Sequence, residues 1–241
     1  MTPLVCVHGF MGGSAQWQAQ REALGPDLAV HAVDLPGYGE SAHLDAPCQI
    51  AGFARWVLDQ LREQGLERFH LMGHSMGGMI VQEMVAQAPE QVDRLILYGT
   101  GAKGMLPGRF EPIDTSKQRA REDGPRDTAR RISATWFLQR DESPAYEACA
   151  AIAERASLQS IVAGLDAMRD WSGEDALSDI HARTLVVWGD HDRTYPWSQT
   201  ERLWQSIDGA SLAVIPNCAH AAHLEKPHLF NEIVGDFLRA S

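Results

Sequence analysis

The first residue of this sequence that could do chemistry is a serine standing between glycines. Ser75 lies in the stretch GHSMG (residues 73–77), which fits the pattern G-x-S-x-G and follows an apolar run. This pattern is typical of a sharp strand-to-helix turn that exposes a serine nucleophile, and its glycines let neighbouring backbone approach closely. A glycine-rich turn with a bystander serine gives the same match. The interpretation therefore depends on partners for Ser75 elsewhere in the chain.

A serine hydroxyl becomes a nucleophile when a base takes its proton and an acid orients that base. Candidate acids follow the apolar run TLVVWG: Asp190 sits in the turn itself, where Asp often caps backbone, and Asp192 lies further into the loop. Candidate bases follow the last apolar run: His220 stands directly beyond it, and His223 lies three residues on. We predict Asp192 as the acid and His220 as the base, in the chain order Ser, Asp, His.

The oxyanion formed during acyl transfer needs two fixed donors. One is the backbone N–H after the nucleophile, here that of Met76, and the other comes from the loop after an early strand. That loop is HGFMGGS (residues 8–14), and we predict the N–H of Phe10 as its donor. Losing one such donor costs about two to three powers of ten in rate.

Two alternative functions of these motifs, metal binding and phosphate binding, have less support than nucleophilic catalysis. His220 and His223 could bind a metal, but no third ligand stands at a recognisable spacing. The glycines of residues 8–14 could hold a phosphate, but the stretch lacks the lysine of a P-loop and does not fit G-x-G-x-x-G. We therefore expect neither a metal nor an organic cofactor.

The elements that position these residues alternate between strand and helix. Nearly continuous apolar runs predict buried parallel strands at 3–8, 28–35, 68–74, 93–99, 184–190 and 211–216. Helical patterns fall near 14–24, 49–64, 76–88, 197–206 and 226–239. This alternation predicts an α/β fold with a doubly wound, mainly parallel sheet, whose carboxyl edge carries the site.

Residues 101–178 interrupt that alternation. They contain no convincing strand, and 125–140 and 154–171 read as amphipathic helices. We predict a helical cap inserted after the fourth strand, with a core made of residues 1–100 and 179–241.

The cap offers the only indications about substrate. Trp136 and Trp171 could line an apolar acyl pocket, although aromatic residues on amphipathic helices also serve to join a cap to a core. A basic run could attract a substrate carboxylate or form a solvated helix face. It consists of Lys117, Arg119, Arg121, Arg126, Arg130 and Arg131.

Composition narrows the class of protein. The 241 residues carry a net charge of −11, which argues against general affinity for nucleic acid or anionic membrane surfaces. Four cysteines without a CxxC pair suit a reducing compartment. No stretch approaches the roughly 20 apolar residues of a membrane helix, and the N-terminus lacks the features of a signal peptide. We expect a cytoplasmic enzyme that acts on a small molecule.

Together, the motifs VHGFMGGS, VDLPGYGES, GHSMGG, LVVWGDHDRTYP and NCAHAAHLEKP resemble those of the α/β-hydrolase superfamily, in its serine-nucleophile branch. The resemblance implies a Ser75–Asp192–His220 triad and a helical cap that selects substrates. It also implies a sheet of about six strands, because the two strands that usually precede the HGF strand are absent.

Within the superfamily, GHSMGGMIVQ and ATWFL look like the β-ketoadipate enol-lactonase and carboxylesterase branch. VDLPGYGES is equally similar to the branch of the pimeloyl-carrier methyl esterase. The expected function is hydrolysis of a small carboxylic ester or lactone. The alternatives are a carbon–carbon bond hydrolase or hydroxynitrile-lyase-like enzyme with the same triad, and a non-catalytic binding protein. Carbon–carbon hydrolases usually show Asn and Trp where this chain has His74 and His223.

Overall fold

The computed structural model describes residues 2–106 and 111–240. Met1, residues 107–110 and Ser241 fall within the predicted core and cap ranges but lie outside the described residues.

Six parallel strands form one sheet, in the spatial order β2-β1-β3-β4-β5-β6. They are β1 Leu4–Val7, β2 Val30–Val33, β3 Phe69–His74, β4 Val92–Tyr98, β5 Arg183–Gly189 and β6 Ser211–Ile215. The six predicted strands are confirmed; β4 and β5 begin one residue earlier than predicted, and the other four are slightly shorter than their apolar runs. Every residue of β1 and β3 is buried, because these strands are central and covered on both faces, whereas the edge strand β2 is half-exposed throughout.

Nine helices are described, together with short 3₁₀ turns. They are α1 Gln18–Leu24, α2 Ile50–Glu63, α3 Met76–Gln87, α4 Ile113–Ala134, α5 Tyr146–Ala153, α6 Leu158–Arg169, α7 Trp197–Ser206, α8 Ala222–Glu225 and α9 Pro227–Arg239. The predicted helices are present. The first begins at Gln18 because a 3₁₀ turn occupies residues 14–17.

Alternate residues along each strand point to opposite faces of the sheet, where they belong to two apolar cores. Val5 and Leu71 pack with α2, α3 and α7, while Cys6 and Met72 pack with α1 and α9. This two-sided burial holds the strands in register. The carboxyl ends of the strands therefore meet at one edge, where the polar loops lie.

The helical insertion predicted after the fourth strand is confirmed by α4, α5 and α6, which lie between β4 and β5. Within α4, Gly124 has a φ of 82° and Pro125 follows it, so the helix is kinked at this point. The predicted helix over 125–140 was too long, because α4 ends at Ala134. No helical pattern was predicted at the position of α5. None of the described helices combines the length and the apolar character that a membrane span requires.

Candidate active site

Ser75 stands in a strained turn between β3 and α3. Its φ and ψ are 58° and −121°, a conformation that residues with a side chain rarely adopt. A Cβ at Gly77 would lie far inside van der Waals contact with the Val7 carbonyl oxygen, and one at Gly73 would collide with the Gly77 carbonyl oxygen. The two glycines therefore let β1 and the start of α3 crowd the turn, which presents Ser75 at the carboxyl edge of the sheet.

His220 and Asp192 form a buried pair on the loops after β6 and β5. His220 Nδ1 lies 2.8 Å from Asp192 Oδ2. The other carboxylate oxygen of Asp192 accepts from the backbone N–H groups of Thr194 and Tyr195, at 2.7 and 3.1 Å. Because Nδ1 faces a carboxylate, it carries the imidazole proton and leaves Nε2 as the basic nitrogen.

Asp190, the other acid considered, makes a different contact. Its Oδ1 accepts a long hydrogen bond of 3.4 Å from the Cys218 N–H. Asp190 thus joins the ends of β5 and β6, as an Asp in a turn often does. The structure brings Asp192, and not Asp190, to His220.

Two small adjoining cavities surround Ser75. One, of about 10 Å³, lies between Ser75 and His220 and is also lined by Gly9, Phe10, Gln16, His74 and Trp136. The other, of about 30 Å³, is lined by Ser75, Phe10, Leu106, Ile132, Trp136, Met168, Thr194 and Tyr195. Larger hollows, such as one of about 390 Å³, lie elsewhere and touch none of the three predicted triad residues. The described residues of the cap thus leave little space at Ser75.

The predicted oxyanion donors lie on two elements beside Ser75. Met76 begins α3, where the helix N-terminus favours negative charge, and Phe10 lines both cavities. The Phe10 loop is held by His8, whose Nδ1–H donates to the Gly9 carbonyl at 2.8 Å while its Nε2 accepts from the Leu35 N–H at 3.0 Å. Burial lowers the pKa of His8 to about 4, so this residue is neutral at pH 7.

Asp34, from the VDLPG stretch, holds the same loop at its far end. Its two carboxylate oxygens accept from the backbone N–H and the hydroxyl of Ser14, at 2.8 and 2.6 Å. The motifs HGFMGGS and VDLPGYG thus meet in space, and their contacts fix the backbone of the predicted oxyanion donor.

A layer of buried polar rings supports His220 and was not anticipated from the sequence. The His220 carbonyl accepts from the Tyr98 hydroxyl at 2.7 Å and from His74 Nε2 at 3.0 Å. Burial, reinforced by repulsion from the neighbouring His220 and His223, holds the pKa of His74 well below 6.5. Its neutral ring stacks on Tyr98. The position of His74 inside the serine motif and of Tyr98 at the end of β4 could have indicated this role.

His223 lies in the same layer and lines neither cavity at Ser75. Its Nδ1 lies 3.1 Å from the Tyr98 hydroxyl, its ring packs on Trp17, and burial lowers its pKa to about 3. Among the described residues, no group of three or more His, Cys, Asp or Glu side chains is arranged to hold a metal ion.

The two tryptophans predicted to bind substrate have different surroundings. Trp136 lines both cavities and packs near the His220 ring, at 6.4 Å between centroids. Trp171 lines neither, and its indole N–H donates to Glu83 of α3 at 3.3 Å. This contact joins the cap to the core, and a substrate-binding role for Trp171 stays a prediction.

Most of the basic run on the cap is paired within the cap. Lys117 contacts Asp166, Arg119 contacts Glu111, and Arg130 lies between Glu147 and Glu154. Arg126 contacts Glu154, and Arg131 contacts Glu111 and Asp123. None of these cations lines the cavities at Ser75.

Several known proteins with similar sequences and folds are hydrolases. The chain is 29% identical over 248 residues to the pimeloyl-acyl-carrier-protein methyl ester esterase of Pectobacterium carotovorum, covering 99% of this chain and 95% of that enzyme. It is 29% identical to the 2-hydroxy-6-oxononadienedioate/2-hydroxy-6-oxononatrienedioate hydrolase of Klebsiella pneumoniae, covering 98% and 86%. The enol-lactonase structure from Burkholderia xenovorans matches with a TM-score of 0.90 at 22% identity, covering 100% and 92%.

The family model described as the alpha/beta hydrolase fold matches residues 2–227, which is most of the chain and includes Ser75, Asp192 and His220. The sheet order, the strained serine turn and the helical insertion after β4 agree with that match. The chain therefore belongs to the alpha/beta hydrolase fold family.

Proposed function

We propose that this protein hydrolyses a small carboxylic ester or lactone through an acyl-enzyme on Ser75. The observation that carries the proposal is the buried His220–Asp192 hydrogen bond, whose histidine lines the same cavity as the strained Ser75. A serine, a histidine and an oriented acid at one small site are the requirements for nucleophilic acyl transfer.

In the first half of the reaction, His220 Nε2 takes the Ser75 proton while the hydroxyl oxygen attacks the acyl carbon. The developing oxyanion receives hydrogen bonds from the N–H groups of Phe10 and Met76. Asp192 keeps the proton on Nδ1 and stabilises the imidazolium. The tetrahedral intermediate then collapses, and His220 gives the proton to the leaving alkoxide.

In the second half, water replaces the alcohol. His220 takes a proton from this water while the water oxygen attacks the acyl carbon. His220 then returns the proton to the Ser75 oxygen, which leaves. For a lactone the leaving alkoxide stays attached to the acyl group, and the product is a hydroxy acid. Both halves of the reaction use the same three side chains and the same two backbone N–H groups.

The acyl group that fits this site is compact, apolar and uncharged. Beside Ser75, the larger cavity is lined by Phe10, Leu106, Ile132 and Met168, with aromatic walls from Trp136 and Tyr195. A carboxylate on the acyl group would lose water there without a described cation beside it, which is unfavourable. The pairing of the cap cations within the cap supports the same choice.

The esterase relative from Pectobacterium supports ester chemistry. A second candidate, hydrolysis of a dienedioate, is favoured by the Klebsiella relative of equal identity. A dioate carries two carboxylates, and the apolar cavity at Ser75 suits such a substrate less well. We therefore rank the ester or lactone first.

The test uses p-nitrophenyl esters from acetate to hexanoate, simple lactones, and a p-nitrophenyl ester bearing a terminal carboxylate. We expect turnover of the neutral short esters, with kcat/KM for the carboxylate-bearing ester lower by about tenfold or more. A fluorophosphonate should add one mass adduct to the wild type and none to Ser75→Ala. The dienedioate is assayed beside the esters, and faster cleavage of it than of any ester would favour the second candidate. Folded protein with neither turnover nor adduct would refute the proposal.

A further inference from the structure

Residues 136–138 of the cap are hydrogen-bonded to both loops that carry the proposed acid and base. On the His220 side, the Ala221 N–H donates to the Trp136 carbonyl at 2.9 Å. On the Asp192 side, the two terminal guanidinium nitrogens of Arg193 donate to the next two carbonyls of the segment, each at 3.2 Å. The cap segment is thus joined to the core next to the site.

Glu225, at the end of α8, adds a further connection. Its Oε1 accepts from the Leu138 N–H at 2.8 Å, and its Oε2 accepts from the Ala219 N–H at 2.7 Å. Both partners are donors, so the bridge requires two acceptors on one side chain. A carboxylate supplies them, whereas the amide of glutamine has one acceptor and would turn its own N–H groups towards one of the donors. Glu225 therefore joins the cap segment to the residue before His220.

The position of this segment limits the space at Ser75. Trp136, its first residue, lines both cavities, which measure about 30 and 10 Å³. Such volumes hold only a few water molecules. An acyl chain longer than these cavities allow must displace part of their walls, and Trp136 is a wall that the two cavities share. A displacement of Trp136 strains the hydrogen bonds of residues 136–138.

We propose that Glu225 is a positioning residue that determines acyl-chain specificity. By joining Leu138 to Ala219, it holds Trp136 close to Ser75 and thereby disfavours long acyl chains. Arg193 restrains the same segment from the other loop. This inference rests on the proposed ester or lactone hydrolysis.

The test compares wild type, Glu225→Gln and the matched control Glu232→Gln, an exposed glutamate on α9. The measured quantity is the ratio of kcat/KM for p-nitrophenyl hexanoate to that for p-nitrophenyl acetate. We expect the ratio to rise about tenfold in Glu225→Gln and to stay unchanged in Glu232→Gln. Amide exchange at Leu138 or Ala219 should quicken about tenfold, because one of them loses its acceptor.

A second variant, Arg193→Met, removes the hydrogen bonds of an exposed side chain to the same segment. It provides an independent test if Glu225→Gln folds poorly. We expect it to raise the hexanoate-to-acetate ratio as well. The double variant should raise the ratio by less than the product of the single effects, because both side chains restrain one segment.

The outcomes separate the two claims. A folded wild type that hydrolyses neither the esters nor the lactones and forms no fluorophosphonate adduct refutes the proposed function, and this inference falls with it. If the wild type is active but neither variant changes the ratio, the specificity role alone is refuted. An equal loss on all esters, with a lower melting temperature, would also refute it, because Glu225 would then be merely structural.

Discussion

His220 Nδ1 lies 2.8 Å from Asp192 Oδ2, and both side chains are almost completely buried. The backbone of His220 is fixed as well, because its carbonyl accepts from Tyr98 and His74. The imidazole is therefore held at its ring and at its main chain. This leaves Nε2 as the nitrogen available for proton transfer.

Asp192→Asn should reduce kcat by about four powers of ten. The amide can donate to Nδ1 and thereby place the imidazole proton on Nε2, where it blocks the transfer from Ser75. The matched control is Asp190→Asn, which changes a weak hydrogen bond to Cys218 and a 3.8 Å contact with His191. We expect the control to stay within about threefold of wild type. Equal losses in the two variants, measured with one short ester, would contradict this assignment of the acid.

Gly77→Ala should destabilise the fold by about 3 kcal/mol, because its methyl group would collide with the Val7 carbonyl oxygen. Gly65 makes a suitable comparison, since its φ is 73° but a methyl group there meets nothing within 4 Å. For Gly65→Ala we expect only the cost of a left-handed backbone, about 1 kcal/mol. Urea denaturation measures both free energies of unfolding. Similar values for the two variants would mean that the packing of β1 against the serine turn is unimportant.

Trp136→Leu should shift the ester preference towards longer acyl chains, because it removes an aromatic wall from both cavities at Ser75. We expect kcat/KM for the hexanoate ester to gain about tenfold relative to the acetate ester. Trp171→Leu makes the same chemical change on the cap but loses a contact with Glu83 instead. Its chain-length preference should match that of wild type. A shift in Trp171→Leu alone would contradict the location of the acyl pocket.

Stability should fall between pH 6.5 and pH 4, partly through His223. Burial lowers the pKa of this side chain from 6.5 to about 3, so the unfolded chain binds a proton in this range that the folded chain excludes. Each pH unit below 6.5 therefore lowers the free energy of unfolding by about 1.4 kcal/mol. The variant His223→Asn keeps a polar group near Tyr98 and lacks this titration. Its slope of stability against pH should be smaller by that amount, and an unchanged slope would show that His223 does not contribute.

The sheet could be predicted from the sequence because most strands are nearly continuous apolar runs, and the loop after each run then falls at one edge. The choice of Asp192 over Asp190 followed from position relative to the turn, and the geometry agrees with it. Its catalytic role remains a prediction.

Other features depend on partners far apart in the chain. The cations of the cap pair with Glu111, Glu154 and Asp166, which a charge count over neighbouring residues does not identify. Trp171 and Trp136 both occur in helical patterns of the sequence. Only the packing of the cap shows that Trp136 lines the cavities at Ser75, whereas Trp171 contacts Glu83 of α3. The kink in α4 corresponds to the pair Gly124–Pro125 in the sequence, where the pattern predicts the start of a helix and not a kink within one.

Hydrolysis of p-nitrophenyl acetate by wild type and Ser75→Ala at equal concentration tests the proposed nucleophile most directly. We expect steady turnover by the wild type and a loss of about four powers of ten or more in the variant, with unchanged folding by circular dichroism. An alanine variant that hydrolyses the ester as fast as the wild type would contradict the assignment of Ser75 as the nucleophile.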